Sequence, residues 1–388
     1  MSLHVNRQPH YLTVSRDLRA TYAFDGEGRL LSAFHNGINY RRGISGEVLL
    51  RRFGADGQKQ RRLLDQAERL RLFHDIHDQV AQIAQIARHD QPVAVQTWLA
   101  QALSWEAQRL EAERARFGVA YKPISILPPD QYLALVVQAT EGCSWNRCTF
   151  CSFYRDRTFR IKRPDQLQSH LEQLLALFGR GLALRRSVFL GDANALIIPQ
   201  PRLRELLAVI RRTLPLADHP RLREIYAFLD IFGAEQKSRA DYQELHAAGL
   251  RRVYLGLESG DPTVFALLNK PGSPAACVEA VRTIKAAGIA VGIILLAGAG
   301  GAELAEQHLT GSLDALAAMQ LGPGDLIYLS PLLVPPDGPY AERLRSEGRT
   351  PLATNAIQEQ LARLRAGARA ACGPGPNVAL YHIEEFVY

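Results

Sequence analysis

From about residue 131 the chain alternates between short apolar stretches rich in β-forming residues and longer stretches with apolar residues at helical spacing. Six apolar stretches follow one another in this way, from YLALVVQAT at 132–140 to DLIYLSPLLVP at 325–335. Each helix in such an alternation returns the chain to the same end of the sheet, so the strands must run parallel. The sequence therefore predicts an α/β fold with a parallel sheet and helices outside it.

The first 120 residues have a different pattern. TYAFDGEGRLLSAFHNGINYRR at 21–42 contains two short apolar runs with DGEG and NG turn signals, which predicts a small antiparallel meander. Two stretches of helical spacing follow, at 61–87 and 93–117. The region has no cysteine and no glycine-rich phosphate loop. If the parallel sheet of the following region curves into a barrel, we expect residues 1–120 to cap its open bottom or side and to help shape the substrate entrance.

The predicted organisation therefore has three parts. Residues 1–120 form the β-meander and helical cap, residues 121–340 form the (β/α)6 core, and residues 341–388 form a helical or extended C-terminal tail.

Charge and hydropathy limit the possible partners. Lys and Arg exceed Asp and Glu by 46 − 39 = 7, which suits an anionic partner such as RNA or a phosphorylated metabolite. Four arginines near the start of the N-terminal helices are candidates for RNA contact: Arg51, Arg52, Arg61 and Arg62. The longest apolar stretch, GIAVGIILLAGAG at 288–300, is too short to span a membrane. No signal peptide is visible at the N-terminus, so we predict a cytoplasmic protein with no membrane partner.

Three of the five cysteines lie in GCSWNRCTFC, on the loop that follows the first predicted strand of the core. Cys143, Cys148 and Cys151 have the spacing Cys-x4-Cys-x2-Cys. Three thiols on one short loop cannot all face the core, and loops at the carboxyl ends of parallel strands build sites in such folds. In the cytoplasm, clustered cysteines indicate metal or redox chemistry rather than disulfides.

Two kinds of metal centre remain open from the spacing. A structural zinc site requires four ligands, and neither His89 nor His170 lies at the distance typical of a zinc ribbon. Cys277 and Cys372 are remote and each stands alone. An iron–sulfur cluster suits grouped thiolates better, and three cysteines would leave one iron of a [4Fe–4S] cluster open to a small molecule.

These residues resemble the radical S-adenosylmethionine (radical SAM) superfamily, whose usual motif is Cys-x3-Cys-x2-Cys after the first strand of a partial (β/α)6 barrel. This chain has one more residue between the first two cysteines. The stretch GLESGDPTVFALLNK at 256–270 resembles the branch with oxygen-independent coproporphyrinogen oxidases and tRNA methylthiotransferases. The resemblance covers about residues 131–335.

The resemblance implies roles for individual residues. Cys143, Cys148 and Cys151 would ligate a [4Fe–4S] cluster. S-adenosylmethionine (SAM) would be contacted by residues of two motifs, FLGDAN and GLESG. It would also be contacted by the residue at the end of the third strand, the lysine of the NK dipeptide and the aromatic residue before the last cysteine. These SAM contacts are Phe150, Gly191, Asp192, Asp230, Glu258, Ser259 and Lys270.

The implied activity is reductive cleavage of SAM to a 5′-deoxyadenosyl radical, which abstracts hydrogen from a small-molecule substrate. The enzyme would be oxygen-sensitive and would need a reductant such as flavodoxin or ferredoxin. The sequence shows no second cysteine cluster. Residues 1–120 lack the alternating β/α pattern that a cobalamin domain needs. Two alternatives remain: a radical SAM enzyme that modifies tRNA or another RNA, and a non-catalytic Fe–S or zinc protein.

Overall fold

The computed structural model describes residues 3–17, 19–54, 57, 59–230 and 237–388. The chain forms two compact units. The first comprises Met1–Leu127, His170–Arg186 and Glu384–Tyr388, and the second comprises Pro128–Ser169 and Ser187–Ile383. Two short segments from distant parts of the chain thus complete the first unit. The predicted capping role of residues 1–120 stays a prediction.

The first unit contains an antiparallel sheet whose described strands follow one another in chain order. Asn36 and Gly37 both have positive φ at the β4–β5 turn, which is the backbone that an Asn-Gly hairpin turn favours. The predicted meander is therefore present. Its strands are β1 (Leu3–Arg7), β2 (Tyr11–Arg16), β3 (Ala20–Asp25), β4 (Leu30–His35), β5 (Ile38–Arg42), β6 (Val48–Phe53) and β7 (Lys59–Leu63).

Three helices pack in the same unit, where two were expected. They are α1 (Gln66–Asp90), α2 (Val93–Leu103) and α3 (Ala107–Ala120). The second predicted helix is interrupted because Trp105 turns inward, where it is 5% exposed and its indole N–H donates to the Glu27 carbonyl at 2.6 Å. Helical periodicity continues through this break, so the pattern alone could not reveal it.

Buried ionic groups hold the first unit together. The side chain of Arg29 pairs with Asp25 at 2.7 Å and with Glu113 at 3.0 Å. Its other N–H groups donate to the backbone carbonyls of Leu177 and Phe178 at 2.8 and 2.7 Å. Since a buried guanidinium is costly unless its donors are satisfied, this network specifies how the meander meets the His170–Arg186 segment.

The second unit contains a parallel sheet in which seven described strands lie in chain order. The predicted α/β class with a parallel sheet is confirmed, and a seventh strand is added. That strand, NVAL at 377–380, lies in the expected C-terminal tail. The strands are β8 (Leu135–Gln138), β11 (Val188–Gly191), β12 (Ile225–Leu229), β13 (Leu250–Glu258), β14 (Ala290–Ala297), β15 (Leu326–Pro331) and β16 (Asn377–Leu380).

A two-stranded antiparallel ribbon, β9 (Thr140–Glu141) and β10 (Arg160–Ile161), follows β8. The described connections contain helices α4 to α11. Residues of α4 fall in both units, and the others belong to the second. Their bounds are α4 (Pro164–Phe178), α5 (Gln200–Thr213), α6 (Arg239–Ala247), α7 (Pro262–Leu267), α8 (Pro274–Ala286), α9 (Ala305–Ala318), α10 (Pro339–Ser346) and α11 (Thr354–Cys372).

Contacts across the parallel sheet show that it curves. Asp130, five residues before β8, accepts hydrogen bonds from the hydroxyl groups of Tyr254 on β13 and Tyr328 on β15. In a flat sheet β8 and β15 would lie about 24 Å apart, at about 4.8 Å per strand. The carboxylate of Asp130 therefore closes the amino end of the barrel. The carboxyl end is left available for a site. None of the helices in the described ranges is long and apolar enough to cross a membrane.

Candidate functional site at the carboxyl end of the barrel

The three clustered cysteines lie on the loop between β9 and β10. Pairing of these two strands brings the ends of the loop together. Glu141 strengthens this closure, because it accepts hydrogen bonds from Arg160 Nε at 2.6 Å and from Lys162 Nζ at 2.5 Å. The 18 residues from Gly142 to Phe159 thus leave the sheet and return to it as one closed excursion.

The cysteine loop is fastened to the turn that follows α7. Trp145 Nε1 donates to the Asn269 carbonyl at 2.7 Å, and Asn269 Nδ2 donates to the Arg147 carbonyl at 2.8 Å. Thr149 donates its N–H to the Leu268 carbonyl at 3.1 Å and its hydroxyl to the Leu267 carbonyl at 3.0 Å. The loop and the LLNK turn, more than 100 residues apart in sequence, are therefore one local structure.

The thiols of this loop lie in a largely apolar, partly buried setting. Burial raises the pKa of Cys143 and Cys151, and raises that of Cys148 to about 12. The positive charge of Lys270 acts in the opposite direction on all three thiols. Among the residues that the structure describes, no group of three or more His, Cys, Asp or Glu is arranged to hold a single metal ion.

Lys270 forms a buried ion pair with Glu258 beside the cysteine loop. Their Nζ and Oε1 atoms are 3.4 Å apart, and the two side chains are 8% and 9% exposed. Burial disfavours the charged form of Lys270, but the negative charges of Glu258 and Asp230 outweigh it and raise its pKa. Burial raises the pKa of Glu258 against the opposing charge of Lys270. A Cβ on Gly256 would lie 2.1 Å from Glu258 Oε1, so this glycine makes room for the pair.

Asp192 is bonded to the base of the cysteine loop. Its Oδ2 accepts the Gly142 N–H at 2.9 Å, and its Oδ1 accepts the Gln138 side-chain amide at 2.7 Å. Arg157 lies 3.5 Å from Oδ2. Burial raises the pKa of Asp192 despite these partners. The carboxylate of Asp192 thus links the base of the loop to β8, and its contact with SAM stays a prediction.

Two buried oxygens at this end of the barrel lack a hydrogen-bond partner within the described residues. They are Oδ1 of Asp230, directly after β12, and Oδ1 of Asn194. Asn194 donates through Nδ2 to the Ser144 hydroxyl at 3.5 Å, so it also lies against the cysteine loop. Asn194 lies within FLGDAN but was not among the predicted SAM contacts. Its signal was its place in the same turn as Gly191 and Asp192.

The remaining predicted contacts lie in the walls of the site. Ser259 is fully buried, and its Oγ lies 2.9 Å from Nδ1 of His308 on α9. Phe150 packs on an apolar cluster that includes Leu268. Gly191 ends β11, and its carbonyl accepts the hydroxyl of Thr140 at 3.1 Å. The structure therefore brings the cysteines, Asp192, Glu258 and Lys270 together, with Asp230 close enough to influence the pKa of Lys270.

Comparison with known proteins identifies the domain that contains this site. Residues 137–306 match the family model of the radical SAM superfamily. These residues, which make up less than half of the chain, therefore form a radical SAM domain, and proteins with this domain are enzymes. The family uses a [4Fe–4S] cluster and SAM, so the two predicted cofactors are confirmed at the level of the family. The alternative of a non-catalytic Fe–S or zinc protein is thereby set aside.

Several solved structures resemble the chain at low identity. Coproporphyrinogen III oxidase (HemN) from Escherichia coli is 17% identical, with a TM-score of 0.46, over 67% of this chain and 56% of that chain. The cobalamin-dependent SAM radical enzyme OxsB is 14% identical, with a TM-score of 0.39, over 80% of this chain. The match spans only 36% of the OxsB chain. No curated protein matches the sequence.

Proposed function

We propose that the protein is a cytoplasmic radical SAM enzyme that abstracts a hydrogen atom from a small-molecule substrate. The observation that carries this proposal is the fastening of the three-cysteine loop to the turn that presents Lys270. When bound, the cluster and SAM together supply the one-electron reduction and the group that takes up the hydrogen atom.

The donor set of the loop fits a [4Fe–4S] cluster. Cys143, Cys148 and Cys151 are free thiols on one closed loop, and thiolates are the ligands that such clusters take. Lys270 supplies a positive charge beside them and favours their ionised form. These three cysteines would hold the cluster.

Polar groups around the loop fit the functional groups of SAM. The ammonium of Lys270, anchored by Glu258, would attract the SAM carboxylate. The unpartnered oxygens of Asp230 and Asn194 would accept hydrogen bonds from its N–H and O–H groups, because a buried acceptor without a partner is costly. Phe150 and Gly191 would flank the cofactor. Asp192 and Ser259 would act by positioning the loop and the end of β13.

The arginines expected to contact RNA have other partners. Arg61 lies 2.6 Å from Glu385, and Arg51 lies 3.9 Å from the same carboxylate. Arg62 pairs with Glu68 at 2.6 Å, and Arg52 donates to Gln60 at 2.8 Å. The two carboxylates, of Glu385 and Glu68, offset about half of the charge of these four arginines, so we favour a small molecule over RNA.

Two further observations support the chosen substrate class and compartment. The barrel interior is lined by aromatic side chains, with the rings of Phe189 and Phe228 5.0 Å apart and those of Phe228 and Tyr254 6.1 Å apart. Mostly apolar surroundings are typical of small-molecule sites.

All five cysteines are free thiols, as expected in a reducing compartment.

Product analysis under anaerobic conditions tests the proposal. The reconstituted protein would be incubated with SAM, dithionite and a deuterated metabolite extract, and 5′-deoxyadenosine would be measured by mass spectrometry. We expect deuterium in this product from the unsubstituted protein and from Cys277→Ala, and no product from Cys148→Ala. Cys277 is a buried thiol outside the loop, so it is the matched control. Absence of 5′-deoxyadenosine from cluster-loaded protein would contradict the proposal.

A further inference from the structure

Two exposed arginines flank Cys148 on the outer side of the cysteine loop. Arg147 precedes it in sequence, and its guanidinium carbon lies 5.5 Å from the ring centroid of Trp145. Arg155 donates from Nη2 to the Cys148 carbonyl at 3.2 Å. Each guanidinium is thus directed by a contact with the loop, and both remain accessible to a partner.

The charge of these two arginines is not compensated within the described residues. Neither forms an ion pair there, whereas Arg157 pairs with Asp156 at 2.9 Å. The other basic groups at the edge of the loop, Arg160 and Lys162, share the single carboxylate of Glu141, which offsets one of their two charges. The outer side of the loop therefore presents a local positive patch, defined by Arg147 and Arg155, at the segment that carries the middle cysteine.

We propose that this Arg147–Arg155 patch is the docking surface for an acidic one-electron carrier protein. The inference rests on the proposed function, since a bound cluster must receive an electron from outside. In this step the carrier loses one electron and the cluster gains it, and no bond is formed or broken. Opposite charges on the two surfaces would accelerate the encounter, and electron-transfer encounters use small interfaces.

The patch is too limited for the main alternative occupant, a nucleic acid. Nucleic-acid binding proteins commonly neutralise about 6–10 phosphates, and two guanidinium groups cannot do so. An electron carrier needs only a brief, weakly bound encounter at the loop that holds the redox group. A few unpaired cations are sufficient to steer such an encounter.

The test compares reduction of the reconstituted cluster by a photoreduced flavodoxin and by dithionite, followed anaerobically by stopped-flow absorbance. The variants are Arg147→Glu and, as control, Arg223→Glu. Arg223 is exposed and lies before β12, at the amino end of the sheet, and the substitution changes the net charge equally. Arg147 rather than Arg155 is substituted because Arg155 also donates a hydrogen bond to Cys148, one of the proposed cluster ligands. We expect reduction by flavodoxin to slow about tenfold or more in Arg147→Glu, with a weaker dependence on salt.

Dithionite needs no docking surface, so its rate should be the same in all three proteins. Equal flavodoxin rates in Arg147→Glu and the unsubstituted protein would overturn this inference alone. Equal slowing by Arg223→Glu would also overturn it, because net charge rather than the patch would then set the rate. Failure of the unsubstituted protein to take up a cluster that dithionite reduces would instead overturn the proposed function, and the inference with it.

Discussion

The indole N–H of Trp145 donates to the backbone carbonyl of Asn269 at 2.7 Å, so the cysteine loop is hydrogen-bonded to the residue before Lys270. The side-chain amide of Asn269 returns a bond to the loop at Arg147. This reciprocal pair links the three thiols to the charge that accompanies them. A disturbance at Trp145 should therefore reach both the proposed cluster ligands and the proposed SAM contact of Lys270.

We expect Trp145→Phe to hold its cluster less tightly. The substitution removes one hydrogen bond, which contributes about 1 kcal/mol, or roughly a fivefold change in an equilibrium. Cluster loss to an iron chelator, followed by absorbance, should be correspondingly faster. Trp98→Phe, in helix α2 of the other unit, should behave as the unsubstituted protein. Equal rates in both variants would show that the Trp145 contact does not support the loop.

Lys270→Ala should weaken SAM binding and leave the cluster in place. A charge-assisted hydrogen bond contributes about 1.5–3 kcal/mol, so affinity should fall about tenfold or more. SAM affinity of the reconstituted protein can be measured by equilibrium dialysis. Lys285→Ala is the matched control, because Lys285 also pairs with a carboxylate, that of Asp325, at the amino end of the barrel. Unchanged affinity in Lys270→Ala would remove Lys270 from the SAM site.

Gly260 and Gly311 allow β13 and α9 to approach closely. A Cβ on Gly260 would lie 2.1 Å from the Gly311 carbonyl oxygen, which is rigid backbone. We expect Gly260→Ala to lower the free energy of unfolding by about 1–3 kcal/mol in urea denaturation. Gly118→Ala, in α3, meets no atom within 4 Å and should instead stabilise by about 0.4–1 kcal/mol. The same sign for both variants would contradict the close approach.

Acid should destabilise the protein through His308. Burial lowers the pKa of His308 from its usual 6.5 to about 4, with the charge of Asp261 acting in the opposite direction. Between these values the unfolded chain binds more protons than the folded one, so stability is lost as pH falls through this window. The loss should approach 3 kcal/mol, at about 1.4 kcal/mol per pH unit.

Comparison of His308→Gln with the unsubstituted protein measures the contribution of His308 to the pH dependence of stability. The pH dependence of its unfolding free energy from pH 6.5 to 4 should be shallower than that of the unsubstituted apoprotein. His74→Gln, the same substitution at an exposed residue of α1, is the control. Parallel curves for His308→Gln and the unsubstituted protein would show that His308 is protonated in the folded state.

Local patterns predicted the framework of the fold because strand and helix periods are properties of short segments. They predicted the parallel order and the position of the cysteine loop after β8. The four-residue strand β16 gave too short a signal, and the break between α2 and α3 depends on the burial of Trp105. Neither feature can be recognised without its tertiary partners.

In the site, too, some features were predicted from the local sequence and others depend on tertiary contacts. Cys143, Cys148 and Cys151 were predicted as metal ligands from their spacing, and Lys270 as a SAM contact from the resemblance; these roles stay predictions. The bonds that join Trp145 to Asn269, and Asp192 to Gly142, link residues about 50 or more positions apart. Such contacts depend on how the chain folds, so the positioning role of Asp192 and the unpartnered oxygen of Asn194 became visible only in the structure.

Analysis of iron, sulfide and zinc in anaerobically reconstituted protein tests the central claim most directly. The claim is that the three cysteines of one loop hold a [4Fe–4S] cluster. We predict the iron and sulfide of one such cluster per chain in the unsubstituted protein and in Cys277→Ala, and neither in Cys148→Ala. Stoichiometric zinc without iron in the unsubstituted protein, or full iron content in Cys148→Ala, would contradict the claim.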